Sequence, residues 1–429
     1  MSSLHVKYLL VGGGLASSEA ARAIREIDPQ GDLMLVGQEI NRPYHRPPLS
    51  KGFLRSQQNR ASLFTLPPEW FNEHRVQLRT GRRVSHVDAA RNCVTLDSGE
   101  EISFAKLLIA TGASPTPLRV AGAVLPNLFY LRTLEDAEHL QHAIEKARKE
   151  GRAHPADAKL RGRATVIGGG LLGIEIAASL AQTGLHVDLA LSRAYPWDRL
   201  AGEVTGRFMA RFLEKSGLTI HAQARATRLE GDGRVQRVVL STGDSIDCDF
   251  AVAAVGIHIN KEILRGTPIV AENAILVNAR CQTNMPDIYV AGDCAAVLDP
   301  LFGKHRMMDH WETAAITGRI AGTNMAGGDA RYDAVTHFET EMLGLPIAVW
   351  GEAKQVDRRI IRGVPNLDAP GFAEIGVAAD GRIAQVIAVG QTSESERAGL
   401  LDLVRRRAAV NGNEEKLKDR AIPLPAESV

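Results

Sequence analysis

Gly168, Gly170 and Gly173 stand at the three glycine positions of G-x-G-x-x-G, inside "ATVIGGGLLGIEIAASLAQTG" beginning at Ala164. The first glycine permits a tight turn, the second lets the backbone approach a pyrophosphate, and the third lets a helix lie close to a strand. Such a turn cradles the phosphates of a dinucleotide at a helix N-terminus, and Leu171 beside it is a further candidate contact. A similar phrase, "YLLVGGGLASSEAARAI", opens the chain at Tyr8. It has Gly12 and Gly14 at the first two positions and Ser17, still small, at the third. Two cradles in one chain point to chemistry that passes something from one nucleotide to another.

The elements that must position these turns are legible as a repeated grammar. Strand-like runs cover residues 8–11, 33–36, 106–110, 164–167, 187–191, 250–255 and 287–291, with helical periodicity over 19–26, 175–183 and 311–325. Strand, glycine turn, helix and strand make a parallel α/β sheet, and the grammar restarts at Ala164. From about Tyr332 the pattern changes to alternation, with a turn at Asp380-Gly381, which predicts antiparallel hairpins closed by a helix over 395–410. The expected fold is α/β: two Rossmann-like domains plus a C-terminal α+β domain. The expected division is residues 1–118 and 257–330 for the first nucleotide, 119–256 for the second, and 331–429 for the last domain.

Further candidates follow from strand ends. Gln38 and Glu39 lie just past the second strand, where an acid can accept hydrogen bonds from ribose hydroxyls. "KLLIATGASP" brings Ala110, Thr111 and Gly112 close to something, and "DIYVAGDCAAV" ends in a glycine that lets Asp293 project; either alone also reads as a surface turn. At the second cradle, "HVDLALSRAYPWDR" has no acid at the strand end but offers Arg193 and Arg199. That pattern leans toward NADPH over NADH; the alternative is two exposed arginines beside an NADH site.

The totals narrow the function classes. A formal net charge of +1 over 429 residues gives no general pull toward nucleic acid or anionic membrane. The basic stretch "EKARKEGRAHPADAKLRGR" also carries acids and reads as a solvated helix end and linker. Nothing reads as a secretory leader, and the apolar run around Val166–Leu180 is broken by glycines and carries Glu175, so no membrane span is expected. Cys93, Cys248, Cys281 and Cys294 form no C-x-x-C pair and no zinc spacing, which suits a reduced cytoplasmic protein without dithiol chemistry or bound metal.

The order "GGGLAS", "RPYHRPPLSKGFL", "LIATGASP", "VIGGGLLGIE", "VAGDCA" and "DHWETAAITGRIAGTNMAG" resembles the two-dinucleotide-fold flavoprotein reductases. It is most similar to the ferredoxin and rubredoxin reductases of bacterial oxygenase systems and to apoptosis-inducing factor. The resemblance implies FAD in the first site, with Gly12, Gly14, Arg46, Lys51, Val84, Thr111, Asp293 and Trp311 as flavin positions. It implies NAD(P)H in the second, with Gly256 of "AAVGIHIN" on the return strand. It also implies that Lys51 and Glu175 meet beside flavin N5, where Lys51 would favour negative charge on the reduced ring; a purely structural ion pair is the alternative. Trp311 would open a helix aimed at the flavin, unless it is an ordinary core tryptophan.

The expected activity is hydride transfer from NAD(P)H to FAD and electron transfer to a ferredoxin- or rubredoxin-like protein. A quinone or small-radical reductase or oxidase is a second reading, and a redox-sensing binding protein similar to apoptosis-inducing factor is a third. A homodimer stays open. Three features depart from the relatives: His45 in "PYHRPP", a linker of about twenty residues before Ala164, and "HFETEML", which puts Glu339 where an aromatic residue is common and Glu341 where Asp is usual.

Overall fold

The computed structural model describes residues 4–151 and 160–424. Part of the expected linker, 152–159, lies outside the described residues; the helix before it is Leu134–Glu150, started by a capping box on Thr133. The chain divides into two compact units. The first comprises Met1–His45, Arg60–Ser114 and Ile257–Thr336, and the second Arg46–Asn59, Pro115–Gly256 and His337–Val429. No helix among the described residues is long and apolar enough to cross a membrane.

In the first unit, Leu4–Val11 lies between Leu33–Val36 and Glu101–Ile109, parallel to both, and Ile288–Val290 adds to the far side of Glu101–Ile109. Leu9, Leu10, Leu33, Met34, Leu35, Leu107, Leu108 and Ile109 are fully buried. Such uninterrupted apolar runs are what a parallel sheet covered on both faces requires. Helix Leu15–Ile27 makes the crossover between the first two strands.

That helix packs on Trp311–Met325 with almost no side-chain spacer. A Cβ at Gly318 would fall 2.2 Å from the Ala16 carbonyl oxygen, and one at Gly322 would fall 2.3 Å from that of Ala20. Glycine pairs four residues apart therefore set how closely the second helix lies on the first. The N-terminus of Trp311–Met325, with Trp311, is fixed accordingly.

In the second unit, the strand order Thr219–His221, His186–Ala190, Arg163–Ile167, Phe250–Ala253, Leu128–Phe129 forms a parallel sheet. An antiparallel trio, Ala226–Glu230, Arg237–Leu240 and Ser245–Asp247, accompanies it. The buried carboxylate of Asp188 on this sheet meets His186 Nε2 at 3.2 Å and His221 Nε2 at 2.7 Å. Burial alone would raise the Asp188 carboxyl, but the hydrogen bonds from His186 and His221 outweigh it and leave it below the usual range. A carboxyl lowered on folding adds stability above its unfolded pKa and loses it as pH falls through the folded value. Asp188→Asn should therefore cost about 1–3 kcal/mol at neutral pH. The deficit should shrink toward zero as denaturation curves are taken down in pH below about 4.

The C-terminal part is a five-stranded antiparallel sheet in the order His337–Met342, Leu345–Gly351, Ile383–Gly390, Gly371–Val377, Arg358–Arg362. The expected turn is present, with Gly381 at φ +75°. The closing helix is shorter than the sequence suggests: it runs Glu394–Arg405, started by Ser393, whose hydroxyl accepts from Glu396 N. It stops early because the chain turns back to the sheet, where the Ala408 carbonyl accepts from Ile383 N at 2.9 Å.

Candidate cofactor and coenzyme sites

The two glycine turns are built alike. A Cβ on Gly12 would sit 2.0 Å from the Ala110 carbonyl oxygen, and one on Gly168 would sit 2.1 Å from that of Ala254. Both glycines have φ +128°, so the tight passage past the neighbouring strand requires glycine on steric and conformational grounds. Gly173 is constrained on steric grounds alone: a Cβ there would lie 2.1 Å from the Gly168 oxygen. Gly14 and Gly170, by contrast, have no atom within 4 Å of their missing Cβ.

These two open glycines are the N-caps of Leu15–Ile27 and Leu171–Gln182, and neither helix has a side-chain cap or an acid in its first turn. Every other α-helix among the described residues has an acid in its first turn, and two also have a side-chain cap: Leu134–Glu150 with Thr133, Glu135 and Asp136, and Glu394–Arg405 with Ser393, Glu394 and Glu396. First-turn amides without such partners favour an anion. Both cradles thus fit a dinucleotide pyrophosphate. Ser17, the third residue of the first motif, is fully buried and its Oγ has no hydrogen-bond partner among the described residues.

Around the first cradle, in the first unit, Glu39 is part-buried and accepts from the buried Tyr44 hydroxyl at 2.5 Å, while Gln38 is exposed. Glu39 is thus a fixed acceptor beyond the strand end. Ala110, Thr111 and Gly112 are pinned by Asn260: Thr111 Oγ1 donates to its carbonyl at 2.6 Å, and Asn260 Nδ2 returns a bond to the Thr111 carbonyl at 3.0 Å. Asp293 sits in the single turn Gly292–Cys294, whose Gly292 N donates to Thr317 Oγ1 of the glycine-packed helix at 3.0 Å. Val84 is buried in the strand Val84–Asp88.

Trp311 is 44% exposed, so it is not a core residue. His45 meets its ring edge-on, with centroids 6.3 Å apart. Burial pushes the His45 imidazole below its ordinary value, with the Glu19 charge opposing, which favours a neutral ring against the indole.

The second unit assembles a buried polar cluster on Glu175, one turn into the helix of the second cradle. Lys51 Nζ lies 2.7 Å from Glu175 Oε1, which also accepts from Thr340 Oγ1 at 2.7 Å. Glu175 Oε2 accepts from Ser50 Oγ at 2.6 Å, and Ser179 Oγ donates to the Ser50 carbonyl at 2.6 Å. The carboxylate is 7% exposed and the lysine 24%. A buried charge pair is tolerable only when its lone pairs and protons are satisfied; both Glu175 oxygens have donors, and Lys51 is part-exposed. Arg46 belongs to this unit and donates from Nη1 to the Arg132 carbonyl.

The sequence reading missed Ser50, Thr340 and Asn260. For Thr340 a signal existed: Phe338 and Met342 are buried on the same strand, so period two puts Thr340 inward and Glu339 and Glu341 outward. Glu339 is exposed and paired with Arg397 of the closing helix. Past the second strand of this unit, Arg193 Nε lies 3.3 Å from Asp198, an acid the motif reading did not align; Arg199 is exposed. Gly256 has φ +123° and its carbonyl accepts from Thr116 N at 2.9 Å.

Residues 6–318 match the pyridine nucleotide-disulphide oxidoreductase family. The chain belongs to this family. It is 30% identical over 358 residues to rhodocoxin reductase of Rhodococcus erythropolis, covering 83% of this chain and 80% of that one. It is 26% identical over 369 residues to the ferredoxin–NAD(+) reductase component of the 3-phenylpropionate/cinnamic acid dioxygenase of Photorhabdus laumondii subsp. laumondii, covering 84% and 90%. Among solved structures it is similar to the covalent putidaredoxin reductase–putidaredoxin complex, with a TM-score of 0.88 at 27% identity over 98% of this chain and 97% of that chain.

This member of the pyridine nucleotide-disulphide oxidoreductases has no disulphide. All four cysteines are free and buried. Burial pushes the Cys248 thiol up to about 12 and Cys294 to about 11, and raises Cys93 and Cys281 as well. None offers a thiolate near neutral pH.

Proposed function

We propose that the protein is a reductase with FAD in the first cradle and NAD(P)H visiting the second, passing electrons to a ferredoxin- or rubredoxin-type protein. The observation that carries this is the pairing of two glycine-capped, acid-free helix N-termini with a complete lack of reactive thiols. Bound FAD would supply the hydride-accepting and electron-releasing chemistry, which is the cofactor's own.

The chain's part is placement and charge. Gly12, Gly14, Ser17, Gln38, Glu39, Val84, Ala110, Thr111, Gly112, Asp293 and Trp311 are the first unit's residues for holding FAD, with Glu39 as the ribose acceptor; Arg46 is the proposed pyrophosphate cation. Gly168, Gly170, Leu171, Gly173 and Gly256 are those for the coenzyme. Lys51, held by Glu175, supplies the positive charge that favours the reduced cofactor. The three-domain division given above is part of this proposal, as is action inside the cytoplasm.

Stopped-flow reduction by NADH and NADPH, followed by addition of a ferredoxin, a rubredoxin, a quinone or air, tests the reading. Fast reoxidation by the small iron protein alone supports it. Equal reoxidation by the quinone or air, or a long-lived reduced state with every acceptor, overturns it.

For the coenzyme, the loop beyond the strand His186–Ala190 carries Arg193 and Arg199 with no acid aligned at the strand end, and Asp198 in that loop is paired with Arg193. The reading leans to NADPH, with Asp198 limiting the preference by partly neutralising Arg193. The Photorhabdus relative, by contrast, is named for NAD(+). Asp198→Asn should then raise kcat/KM for NADPH relative to NADH by about tenfold. An unchanged ratio would remove Arg193 from the account.

A further inference from the structure

The segment 191–202, which carries Arg193, Asp198 and Arg199, is held at three places. At its start, Leu191 N donates to the His221 carbonyl and Gln223 N to the Arg193 carbonyl, both at 2.9 Å. In its middle, Trp197 N donates to the Gly169 carbonyl of the glycine turn at 3.0 Å. Trp197 is 2% exposed and adopts φ +62°, a conformation a bulky side chain keeps only where its surroundings over-determine it. Its indole Nε1 has no hydrogen-bond partner among the described residues.

The third hold comes from the C-terminal sheet. Gly202 N, at the cap of helix Glu203–Lys215, donates to Glu374 Oε1 at 2.8 Å. Glu374 is 1% exposed and ion-paired with Arg359 on the adjacent strand. Arg359 also reaches Gln385 Oε1 at 3.2 Å and the Leu200 carbonyl at 3.5 Å. There is no slack: a Cβ at Gly202 would lie 2.4 Å from Arg359 Cδ and 3.0 Å from Glu374 Oε2. That second oxygen has no hydrogen-bond partner among the described residues. A buried carboxylate with half its capacity unused is a poor device for stability alone.

We propose that Glu374 is a positioning residue for the coenzyme. With Arg359 it fixes the Gly202 end of the segment, so that Trp197 is pressed against the second glycine turn and Arg193 and Asp198 face the adenosine end of NAD(P)H. The C-terminal sheet thereby sets coenzyme affinity from outside the nucleotide fold. The inference rests on the second cradle being the coenzyme site.

The test compares FAD-loaded wild type with Glu374→Ala and Glu374→Gln. NAD+ and NADP+ binding is measured by calorimetry, and NAD(P)H kinetics with ferricyanide as acceptor. In Glu374→Ala, the coenzyme Kd and KM should rise about tenfold while kcat stays within about twofold. Glu374→Gln keeps an acceptor for Gly202 N and should lose about threefold. A lowered Tm with unchanged Kd in either variant overturns the proposal, and Glu374→Gln decides alone if the alanine variant does not fold. Wild type that binds neither oxidised coenzyme sinks the cradle reading instead, which keeps the two failures distinct.

Discussion

Glu175→Ala is expected to destabilise the protein by about 3–5 kcal/mol and to slow hydride transfer about 100-fold. The stability loss follows from what the carboxylate satisfies. Its removal leaves the part-buried Lys51 ammonium unpaired, Thr340 Oγ1 without this acceptor, and Ser50 Oγ with only the longer bond to the Pro47 carbonyl. Glu175→Gln keeps one acceptor oxygen, turns the other into an NH2 donor and removes the charge, so it should cost about half as much. The kinetic loss follows from Lys51: without its partner the ammonium is no longer held in one place. Urea denaturation and stopped-flow absorbance measure the two separately. An alanine variant within about 1 kcal/mol of wild type would show that Lys51 finds another partner.

Gly318→Val should be the most damaging substitution away from any charged residue. Its Cβ would lie 2.2 Å from a backbone oxygen of Leu15–Ile27, so the helices must separate. Separation pulls Thr317 from Gly292 N and moves Trp311 at the same helix's start. Overpacking of this severity costs about 3 kcal/mol or more, and the protein should purify without flavin absorbance. Gly14→Ala is the informative contrast. It has φ −102° and an open surrounding, so its Tm should change little while flavin retention falls. Equal flavin content in both variants and wild type would place the cofactor elsewhere.

These two sites show what a linear reading can and cannot reach. The cradles were legible because glycine is demanded at fixed offsets by a local turn, and the strands because apolar runs record burial on both faces. Lys51 and Glu175 were paired through resemblance, since 124 positions separate them and no local rule joins them. With Ser50 and Thr340 the cluster draws on three separate stretches of chain. Asn260 pins Thr111 from 149 residues away. Such partners are chosen by tertiary geometry, and only the inward register of Thr340 left a trace. The closing helix ends before its periodicity does because the signal that ends it is a sheet hydrogen bond at Ala408, not a glycine or proline. Asp198 escaped notice because the motif places the deciding acid at the strand end, whereas here it approaches Arg193 from the loop beyond.

The central claim is that this thiol-poor chain works through a bound flavin reduced by a nicotinamide. An anaerobic absorption spectrum of the purified protein during titration with NADPH or NADH tests it most directly. A visible flavin absorption band that bleaches with about one equivalent of coenzyme is the predicted result. A colourless protein that stays colourless after incubation with FAD, or a yellow one that neither coenzyme bleaches, would contradict it.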